Sequence, residues 1–254
     1  MLMQTKPIVL LTDFGWSSYV GAMKGVILSR CPYAQIVDLT HDVAPQNVRE
    51  GAWLLLVNYL YFPPGSIFLA VVDPGVGTKR KALAIKTKDY YFLGPDNGLL
   101  SPAAARAGIV DTVELAVPPE ASLTFHGRDV FAPAVAKLAA GLPFRELGKP
   151  VVPEVNFAFY LNGREGEVVT IDRFGNVITN IPPLPNRRKY AVSLARGGKS
   201  YFRSELPFCP AYAFAPEGVL FLITGSGGTL EISVKNGSAA SRLGVEVADR
   251  VAIT

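Results

Sequence analysis

The stretch Ile67-Phe-Leu-Ala-Val-Val-Asp-Pro-Gly-Val-Gly77 decides the fold class of this chain. Its six consecutive apolar residues are typical of a strand that is buried on both faces of a parallel sheet, and the Asp73-Pro-Gly sequence ends that strand in a tight turn. The same pattern occurs near the start of the chain, where Ile8–Thr12 is followed by Asp13. Because helices must cover both faces of such a sheet, the pattern favours a layered α/β domain with mostly parallel strands.

Segments with helical periodicity alternate with these apolar runs over the first 140 residues. A helix is predicted at residues 19–29, a strand at 36–40 and a second helix at 48–61, which gives the order βαβαβ up to residue 72. The other elements predicted for this half are strands at 82–87, 90–93 and 110–115 and a helix at 129–140, with Pro133 in its first turn.

The pattern changes after Gly148, and beyond Gly163 the apolar runs become short and turn-separated, with little helical periodicity. Runs of this kind are typical of a small β-barrel or sandwich. We therefore predict an α/β domain over residues 1–148, a linker over 149–163 and a β-barrel-like domain over 164–254. Strands of the second domain are predicted at 168–172, 190–194, 201–204, 219–224, 230–234 and 250–253.

The composition indicates a folded protein without a concentrated charge. Of the 254 residues, 49% are hydrophobic and 18% are charged, so enough apolar side chain is present for a sizeable core. The net charge of +4 is shared equally, because residues 1–150 and 151–254 each carry +2. No basic patch that would bind nucleic acid is therefore expected.

Membrane attachment and secretion are not expected either. No apolar run approaches the roughly 18 residues that a membrane helix needs, and the polar residues from Thr12 onward leave no hydrophobic region for a signal peptide. Cys31 and Cys209 lie far apart and have no CxxC partner, which supports neither a zinc site nor a disulfide framework. Since free thiols are typical of a reducing compartment, the expected location is the cytoplasm.

Acidic residues recur where the predicted strands end. Asp13 follows the first strand and Asp73 the third. Asp96 lies in the turn at 94–98, and Asp38 lies within the second strand. Ligands bind at the carboxyl ends of strands in open α/β sheets, so these carboxylates predict a cleft. Two alternatives stay open: Asp13 either binds a sugar diol or caps the next helix, and Asp73 either lines the cleft or only forms a turn.

The chain has two histidines, and neither belongs to a recognised metal motif. His41 follows a strand and is interpreted as a structural residue held by Asp42. His126, in Thr-Phe-His-Gly-Arg-Asp at 124–129, precedes a predicted helix whose N-terminus favours anions, although a loop histidine is more often structural. The sequence contains no HExxH, Walker or GxGxxG pattern, so metal hydrolysis, ATP hydrolysis and Rossmann dinucleotide binding have no direct support.

In the second half, residues 172–180 (DRFGNVITN) interrupt a β pattern with polar and aromatic side chains. Asp172 and Asn176 could bind a polar ligand while Phe174 covers a flat ring, although a decorated β-turn explains the segment equally well. The turn at Ser226-Gly-Gly could present backbone amides to a ligand, but this signal is weak by itself.

Taken together, six short segments resemble those of the S-adenosylmethionine hydroxide adenosyltransferases, the water-using relatives of the S-adenosylmethionine fluorinases and chlorinases. In chain order they are TDFG at 12–15, YVGAMKG at 19–25, VVDPGVGTKR at 71–80, GPDNGLL at 94–100, TFHGRD at 124–129 and DRFGNVITNI at 172–181. The resemblance runs from about residue 7 to 253, and six segments in the same order are far more specific than any one of them.

The resemblance implies an α/β domain, a β-barrel domain and a homotrimer whose active sites lie between the N-terminal domain of one subunit and the C-terminal domain of the next. S-adenosylmethionine is then the substrate, and no metal or other cofactor is expected. The catalytic residues that it implies are Asp73, Arg80 and His126. The substrate-binding residues that it implies are Asp13 for the ribose, Asp172, Phe174 and Asn176 for methionine and adenine, and Ser226 near the methionine carboxylate.

The expected reaction is hydrolysis of S-adenosylmethionine to adenosine and L-methionine by in-line attack of water at C5′. The sulfonium leaves as a neutral thioether, so the leaving group needs no general acid. Water is a weak nucleophile, so Asp73 and His126 are expected to orient it while Arg80 stabilises developing hydroxide.

Three alternative functions differ in the residues that they need. A halogenase of the same family would bind a halide in place of water, and a carboxylate such as Asp73 would repel it by roughly 4 kcal/mol at 4 Å and an effective dielectric of 20. A non-catalytic adenosine- or S-adenosylmethionine-binding regulator could dispense with Asp73, Arg80 and His126. A calcium-dependent nucleoside hydrolase would need an acidic pair after the first strand, where Asp13 stands alone.

Overall fold

The structure is a computed structural model that describes residues 6–254. The chain divides into two compact units, the first ending at Ala158 and the second running from Phe159 to Thr254. Each unit has its own sheet and its own hydrophobic core. Among the helices of residues 6–254, none has the length and apolar character needed to cross a bilayer.

The first unit alternates strands and helices up to β3, as predicted. Its strands are β1 (Ile8–Thr12), β2 (Ile36–Thr40), β3 (Ile67–Val71), β4 (Ala82–Thr87), β5 (Tyr91–Pro95), β6 (Ile109–Leu115) and β7 (Gly148–Pro150). Its α-helices are α1 (Ser18–Arg30), α2 (Val48–Asn58), α3 (Ser101–Ala107) and α4 (Ala132–Ala139), and α4 is preceded by a π-helical turn at Gly127–Phe131.

The sheet of the first unit has the strand order β2-β1-β3-β5-β4-β6-β7. Strands β2, β1, β3 and β5 are parallel, β4 runs against them, and β6 returns to their direction before the antiparallel edge strand β7. Five of the seven strands therefore point the same way, which confirms the mostly parallel α/β sheet.

Helices cover both faces of this sheet because successive strand residues point to opposite sides. On one face, Met23 of α1 and Val135 of α4 share a buried cluster with Leu10 of β1. On the other face, a side chain at Gly51 of α2 would collide with Leu99 and Val72, so the glycine allows α2 to lie close to the sheet. Continuous burial on both sides explains why the strands read as unbroken apolar runs.

The second unit is a single antiparallel sheet that nearly closes into a barrel. Its elements are β8 (Glu165–Ile171), β9 (Val177–Thr179), β10 (Lys189–Arg196), β11 (Lys199–Pro207), β12 (Leu220–Thr224), β13 (Leu230–Val234), α5 (Ala239–Leu243) and β14 (Arg250–Ile253). The strand order is β11-β10-β14-β8-β9-β13-β12, and Phe208, just beyond β11, bridges Leu222 of β12. This architecture confirms the prediction that the second half of the chain forms a β-barrel-like fold.

The differences from the predicted elements concern short segments. The sequence did not predict α3, α5, β7 and β9, which have three to seven residues and are too short for a clear period. The helix predicted at 129–140 opens with a π-helical turn and becomes α-helical only at Ala132, and Pro133 lies in the first turn of that α-helix as expected. The helix predicted to reach residue 61 ends at Asn58 and continues as a 3₁₀ turn.

The bounds predicted for the two domains and the linker stay predictions, and residues 1–5 of the first domain lie outside the described residues. Within the predicted linker at 149–163, the first two residues belong to the edge strand β7. Farther along, the backbone N–H groups of Glu154 and Val155 donate to the Asp96 carboxylate at 2.8 and 3.2 Å. This part of the chain is therefore held by the first unit.

Candidate active site

Two of the predicted site residues leave neighbouring parallel strands at the same edge of the sheet. Thr12 at the end of β1 is in register with Val71 at the end of β3. Asp13 follows the first of these strands directly, and Asp73 follows the second after one more apolar residue. The carboxyl ends of β1 and β3 therefore present the two carboxylates on one edge, as the sequence pattern predicted.

Asp73 and Arg80 form a two-point ion pair. Arg80 Nε donates to Asp73 Oδ1 at 2.9 Å, and the terminal Nη2 donates to the other carboxylate oxygen. The side chains of Asp73 and Arg80 are only 5% and 9% exposed, so water screens this pair weakly. Such a fork fixes the orientation of both groups more strictly than a single contact would.

Arg80 also contacts His126. The distance from Arg80 Nη2 to His126 Nδ1 is 2.9 Å, and since a guanidinium can only donate, Nδ1 must accept. Burial, together with the positive charge of Arg80, lowers the pKa of His126 below its ordinary value. The imidazole is therefore neutral near pH 7, with its proton on Nε2. That buried Nε2–H has no hydrogen-bond partner among the described residues.

Gly77 allows the loop that carries Asp73 and Arg80 to reach the segment that carries His126. It adopts a left-handed φ of +76°, and a Cβ at this position would lie 2.2 Å from the carbonyl oxygen of Leu123. The Arg80 guanidinium also packs on an aromatic ring: it lies 5.5 Å from the ring centre of Phe131, where a cation is attracted to the aromatic face. The glycine is thus explained by close backbone approach.

Asp13 is not a helix cap. The N-cap of α1 is Ser17, whose side chain accepts from Tyr19 N–H, so the capping alternative for Asp13 is wrong. Asp13 Oδ2 accepts instead from the backbone N–H of Gln46 at 2.7 Å, and Gln46 takes a left-handed φ of 62°. The half-buried Asp13 carboxylate is therefore oriented by the backbone just before α2.

A hydrogen-bonded network that starts at the buried Thr12 and His41 and ends at the surface supports the strand end next to Asp13. Thr12 Oγ1 lies 2.9 Å from His41 Nδ1, and His41 Nε2 lies 3.0 Å from Asp38 Oδ1. Lys24 donates to Asp38 at 2.6 Å. Burial favours the neutral form of Asp38, but the contacts with Lys24 and His41 outweigh it and lower the pKa of this carboxyl. His41 is a structural residue as expected, although Asp38 holds it and not Asp42.

Asp96 also differs from the sequence interpretation. It follows β5 at the correct edge, but it is buried, with its two oxygens occupied by the backbone of Glu154 and Val155. Its neighbour Asn97 donates to the Val72 carbonyl at 2.8 Å, just before Asp73. This turn therefore shapes the site without offering it a free carboxylate.

The second unit holds an open cavity of about 790 Å³. All four residues that the sequence predicted for substrate binding in this half line it, namely Asp172, Phe174, Asn176 and Ser226. Asn176 is buried, whereas Phe174 is 70% exposed. The cavity thus combines buried polar side chains with an exposed aromatic ring, a combination that suits a flat, polar ligand.

Asp172 shapes its own loop. Its Oδ1 accepts from the backbone N–H groups of Phe174 and Asn176, both at 2.9 Å, and its Oδ2 accepts from the Asn176 side chain at 2.8 Å. Gly175 completes the turn at φ +79°, where a Cβ would collide with Ser238. The decorated-turn explanation therefore holds for the local structure, and the same turn presents Phe174 to the cavity.

Glu231, which no motif in the sequence indicated, also lines this cavity. It lies on β13 between Leu230 and Ile232, which belong to the barrel core, so Glu231 points to the opposite face of the strand. Burial, and to a lesser degree the negative charge of Asp172, raise the pKa of Glu231 to about 7. In the sequence, the only indication of this role was that Glu231 is a single acidic residue within an otherwise apolar strand.

Two family models match nearly the whole chain. The N-terminal domain of the SAM hydroxide adenosyltransferases matches residues 8–148 and their C-terminal domain matches residues 166–252, where SAM denotes S-adenosylmethionine. The chain belongs to this family, as the six sequence segments indicated.

Individual relatives agree with the family models. The chain is 40% identical to an (R)-S-adenosyl-L-methionine hydrolase of Thermus thermophilus, over 95% of this chain and 96% of that protein. It is 30% identical to a fluorinase of Actinoplanes sp., over 68% of this chain and 71% of the fluorinase. A crystal structure of an uncharacterized conserved protein from Thermotoga maritima is similar at a TM-score of 0.87 and 38% identity, covering 97% of this chain and all of that one.

The raised pKa of Glu231 predicts a pH-dependent stability. Protonated Glu231 contributes fully to the free energy of unfolding below pH 4.5, which is the ordinary pKa of a glutamate. This contribution is lost as the pH rises through about 7, the pKa of Glu231 in the folded protein. Glu231→Gln cannot ionise, so we expect it to be more stable than the wild type at pH 8 by up to about 3 kcal/mol, with little difference near pH 4.5. Urea unfolding at both pH values measures this, with the exposed Glu205→Gln as the control. An equal difference at both pH values would contradict it.

Proposed function

We propose that this protein hydrolyses S-adenosylmethionine to adenosine and L-methionine. The observation that carries the proposal is the buried cluster in which Arg80 holds Asp73 and His126 at once. Family membership and the hydrolase name of the Thermus thermophilus relative support the same reaction.

The chemistry of the substrate explains which catalytic groups are needed. Attack of a water oxygen on C5′ forms the new C–O bond, while the C5′–S bond breaks and its electron pair returns to sulfur. Methionine then departs as a neutral thioether, so no acid is needed at the leaving group. The demands are a well-placed water molecule and an acceptor for the proton that it loses.

The cluster of the first unit can meet both demands. The unpartnered Nε2–H of His126 can donate to the water oxygen and orient a lone pair, because Arg80 fixes the imidazole tautomer. Asp73 supplies carboxylate lone pairs that accept from the same water and receive its proton. Arg80 stabilises negative charge on the attacking oxygen, and preorganised donors of this kind contribute roughly 3–4 kcal/mol in other enzymes.

Substrate binding is proposed for the residues at the strand edge and in the cavity. Asp13, fixed by Gln46, would accept from the ribose hydroxyls. The exposed ring of Phe174 would stack on the adenine, with Asn176 beside it. Asp172 would act mainly by shaping this loop, and the exposed Ser226 would donate to the methionine carboxylate.

The halogenase alternative is weaker than hydrolysis, but repulsion of a halide by the Asp73 carboxylate is not the reason. The charge of Asp73 is balanced by Arg80, so the repulsion of a halide is much smaller than for a lone carboxylate. Water is favoured because the cluster offers both an acceptor, Asp73, and a donor, His126. A halide needs donors alone, and a non-catalytic regulator would need no such cluster.

The proposal extends to assembly and location. We propose a homotrimer in which the Asp73 cluster of one subunit works with the Asn176 cavity of the next, on the basis of family membership. The buried free thiols of Cys31 and Cys209 support a reducing compartment, for which we propose the cytoplasm. No nucleic-acid or membrane partner and no metal or other cofactor is proposed.

The reaction itself is tested with S-adenosylmethionine in oxygen-18 water, without added metal or halide. Mass spectrometry should find adenosine with the label in its 5′-hydroxyl, together with unlabelled L-methionine. Repeating the assay with chloride or fluoride should give no 5′-halogenated adenosine. Adenine, S-ribosylmethionine or unlabelled adenosine as the main product would refute the mechanism.

Separate roles are expected for the cluster and the ribose site. Asp73→Asn and Arg80→Lys should lower kcat about 100-fold or more with small changes in KM, because lysine keeps the charge but loses the fork. Asp13→Ala should mainly raise KM, since charged hydrogen bonds contribute about 1.5–3 kcal/mol. The exposed Asp89→Asn serves as the control in steady-state kinetics. Wild-type kcat in Asp73→Asn would remove it from the mechanism.

Shared sites are tested by subunit mixing. Asp73→Ala and Asn176→Ala chains, each impaired, are co-expressed with different tags, and mixed trimers are verified by native mass spectrometry. A cyclic trimer assembled at random should restore both native halves at roughly a quarter of its sites. Activity that stays at the average of the two parents would show that each site lies within one chain.

A further inference from the structure

One turn, at residues 94–98, holds both ends of the loop that carries the ion pair of the first unit. Just before the loop begins, the Val72 carbonyl accepts from Asn97 Nδ2 at 2.8 Å. Just after the loop ends, the Lys81 carbonyl accepts from the backbone N–H of Asp96 at 2.9 Å. The second bond continues the antiparallel pairing of β4 with β5, whereas the first is made by a side chain and can be removed by one substitution.

The bond from Asn97 fixes the backbone that leads into Asp73. Val72 is fully buried, and a buried carbonyl that loses its donor is costly to keep in place. The carbonyl belongs to the peptide bond between Val72 and Asp73, so its orientation determines the direction in which the Asp73 side chain leaves the backbone. Asn97 is itself held, because its Oδ1 accepts from the backbone N–H of Leu99 at 3.2 Å.

The segment after β7 anchors this turn from a second direction. The Asp96 carboxylate accepts from the backbone N–H groups of residues 154 and 155, as described above. Next to the turn, Ser101 Oγ donates to the Val155 carbonyl at 3.0 Å. The turn is therefore a fixed support from which Asn97 can hold the loop.

The far end of the loop connects this support to the rest of the cluster. The Lys81 carbonyl, which accepts from the turn, also lies 3.4 Å from Arg80 Nη1 and accepts from it. Arg80 in turn contacts both Asp73 and His126. A two-point ion pair tolerates little displacement, so a shift at either end of the loop changes the geometry of the whole cluster.

We propose that Asn97 is a positioning residue, which acts through the Val72 carbonyl to place Asp73 for activation of the attacking water. This inference rests on the proposed function. Because Asn97 acts on the backbone and not on the substrate, its contribution belongs to the rate of the reaction and not to the affinity for S-adenosylmethionine. Small misplacements of catalytic groups are known to lower rates by up to about 100-fold.

The kinetic test uses two substitutions of Asn97. Asn97→Asp keeps the shape and the acceptor for Leu99 but replaces the donor to Val72, and Asn97→Ala removes the side chain without adding charge. We expect both to lower kcat about tenfold or more while KM changes less than about threefold.

The matched control is Asn58→Ala at the end of α2. Asn58 is also half-buried, and its Nδ2 also donates to a backbone carbonyl at 2.8 Å, that of Leu54. This helix end leads to the start of β3, at the opposite edge of the sheet from Asp73. The control should keep the wild-type kcat, and thermal unfolding compares the loss of stability in the two alanine variants.

A second measurement needs no turnover. The chain has two histidines, so ¹H–¹⁵N spectra of the imidazole rings report on each of them separately. In Asn97→Ala we expect the Nδ1 resonance of His126 to shift, because its contact with Arg80 is disturbed. The resonances of His41, which is held by Thr12 and Asp38, should stay unchanged.

Three results would overturn the assignment. They are an unchanged kcat in the folded Asn97 variants, an unchanged Nδ1 resonance of His126 in Asn97→Ala, and an equal loss of kcat in Asn58→Ala. The last would show a general effect of lost stability. A wild-type protein that forms no adenosine would instead refute the proposed function, and the spectra would then decide alone whether Asn97 positions the cluster.

Discussion

The Arg80 guanidinium is the group on which the cluster of the first unit depends. It binds both oxygens of Asp73 and also donates to His126, so one planar cation fixes a carboxylate and an imidazole relative to each other. Its effect is also electronic, because its charge adds to burial in lowering the pKa of the histidine, and its N–H fixes the tautomer. Gly77 and Phe131 place this cation, the first by allowing close backbone approach and the second by packing against its face.

The apolar runs of the sequence predicted the sheet because strands buried on both faces must be apolar throughout, and they predicted carboxylates at its edge because polar residues can follow only where such a strand ends. The grouping of Asp73 with Arg80 and His126 came only from the resemblance to the family. The same logic misassigned Asp96. A strand-end carboxylate looks identical in sequence whether it faces a ligand or receives backbone N–H groups from residues 154 and 155. Those donors lie almost sixty positions away along the chain, and no local pattern marks them.

Glu231 escaped prediction for a different reason. An acid between apolar strand residues normally points to solvent, and alternation along β13 does turn it away from the barrel core. Its burial comes from Ile178 and Ile223 on the neighbouring strands, and hence from a pairing that the sequence does not state. The roles carried by Asp172 and Asn176 had a stronger signal, because a run of Asp, Phe, Gly and Asn inside a β pattern already departs from ordinary strand composition.

The contact between Asp13 and Gln46 affects how sequences of this family should be compared. Only the main-chain N–H of Gln46 is used, so the chemistry of its side chain is free to drift. What selection can act on at this position is the left-handed backbone, which glycine and asparagine adopt at least as readily as glutamine. Residues that covary with Asp13 would therefore not include its bonding partner, and a search for coupled positions would pass over this contact.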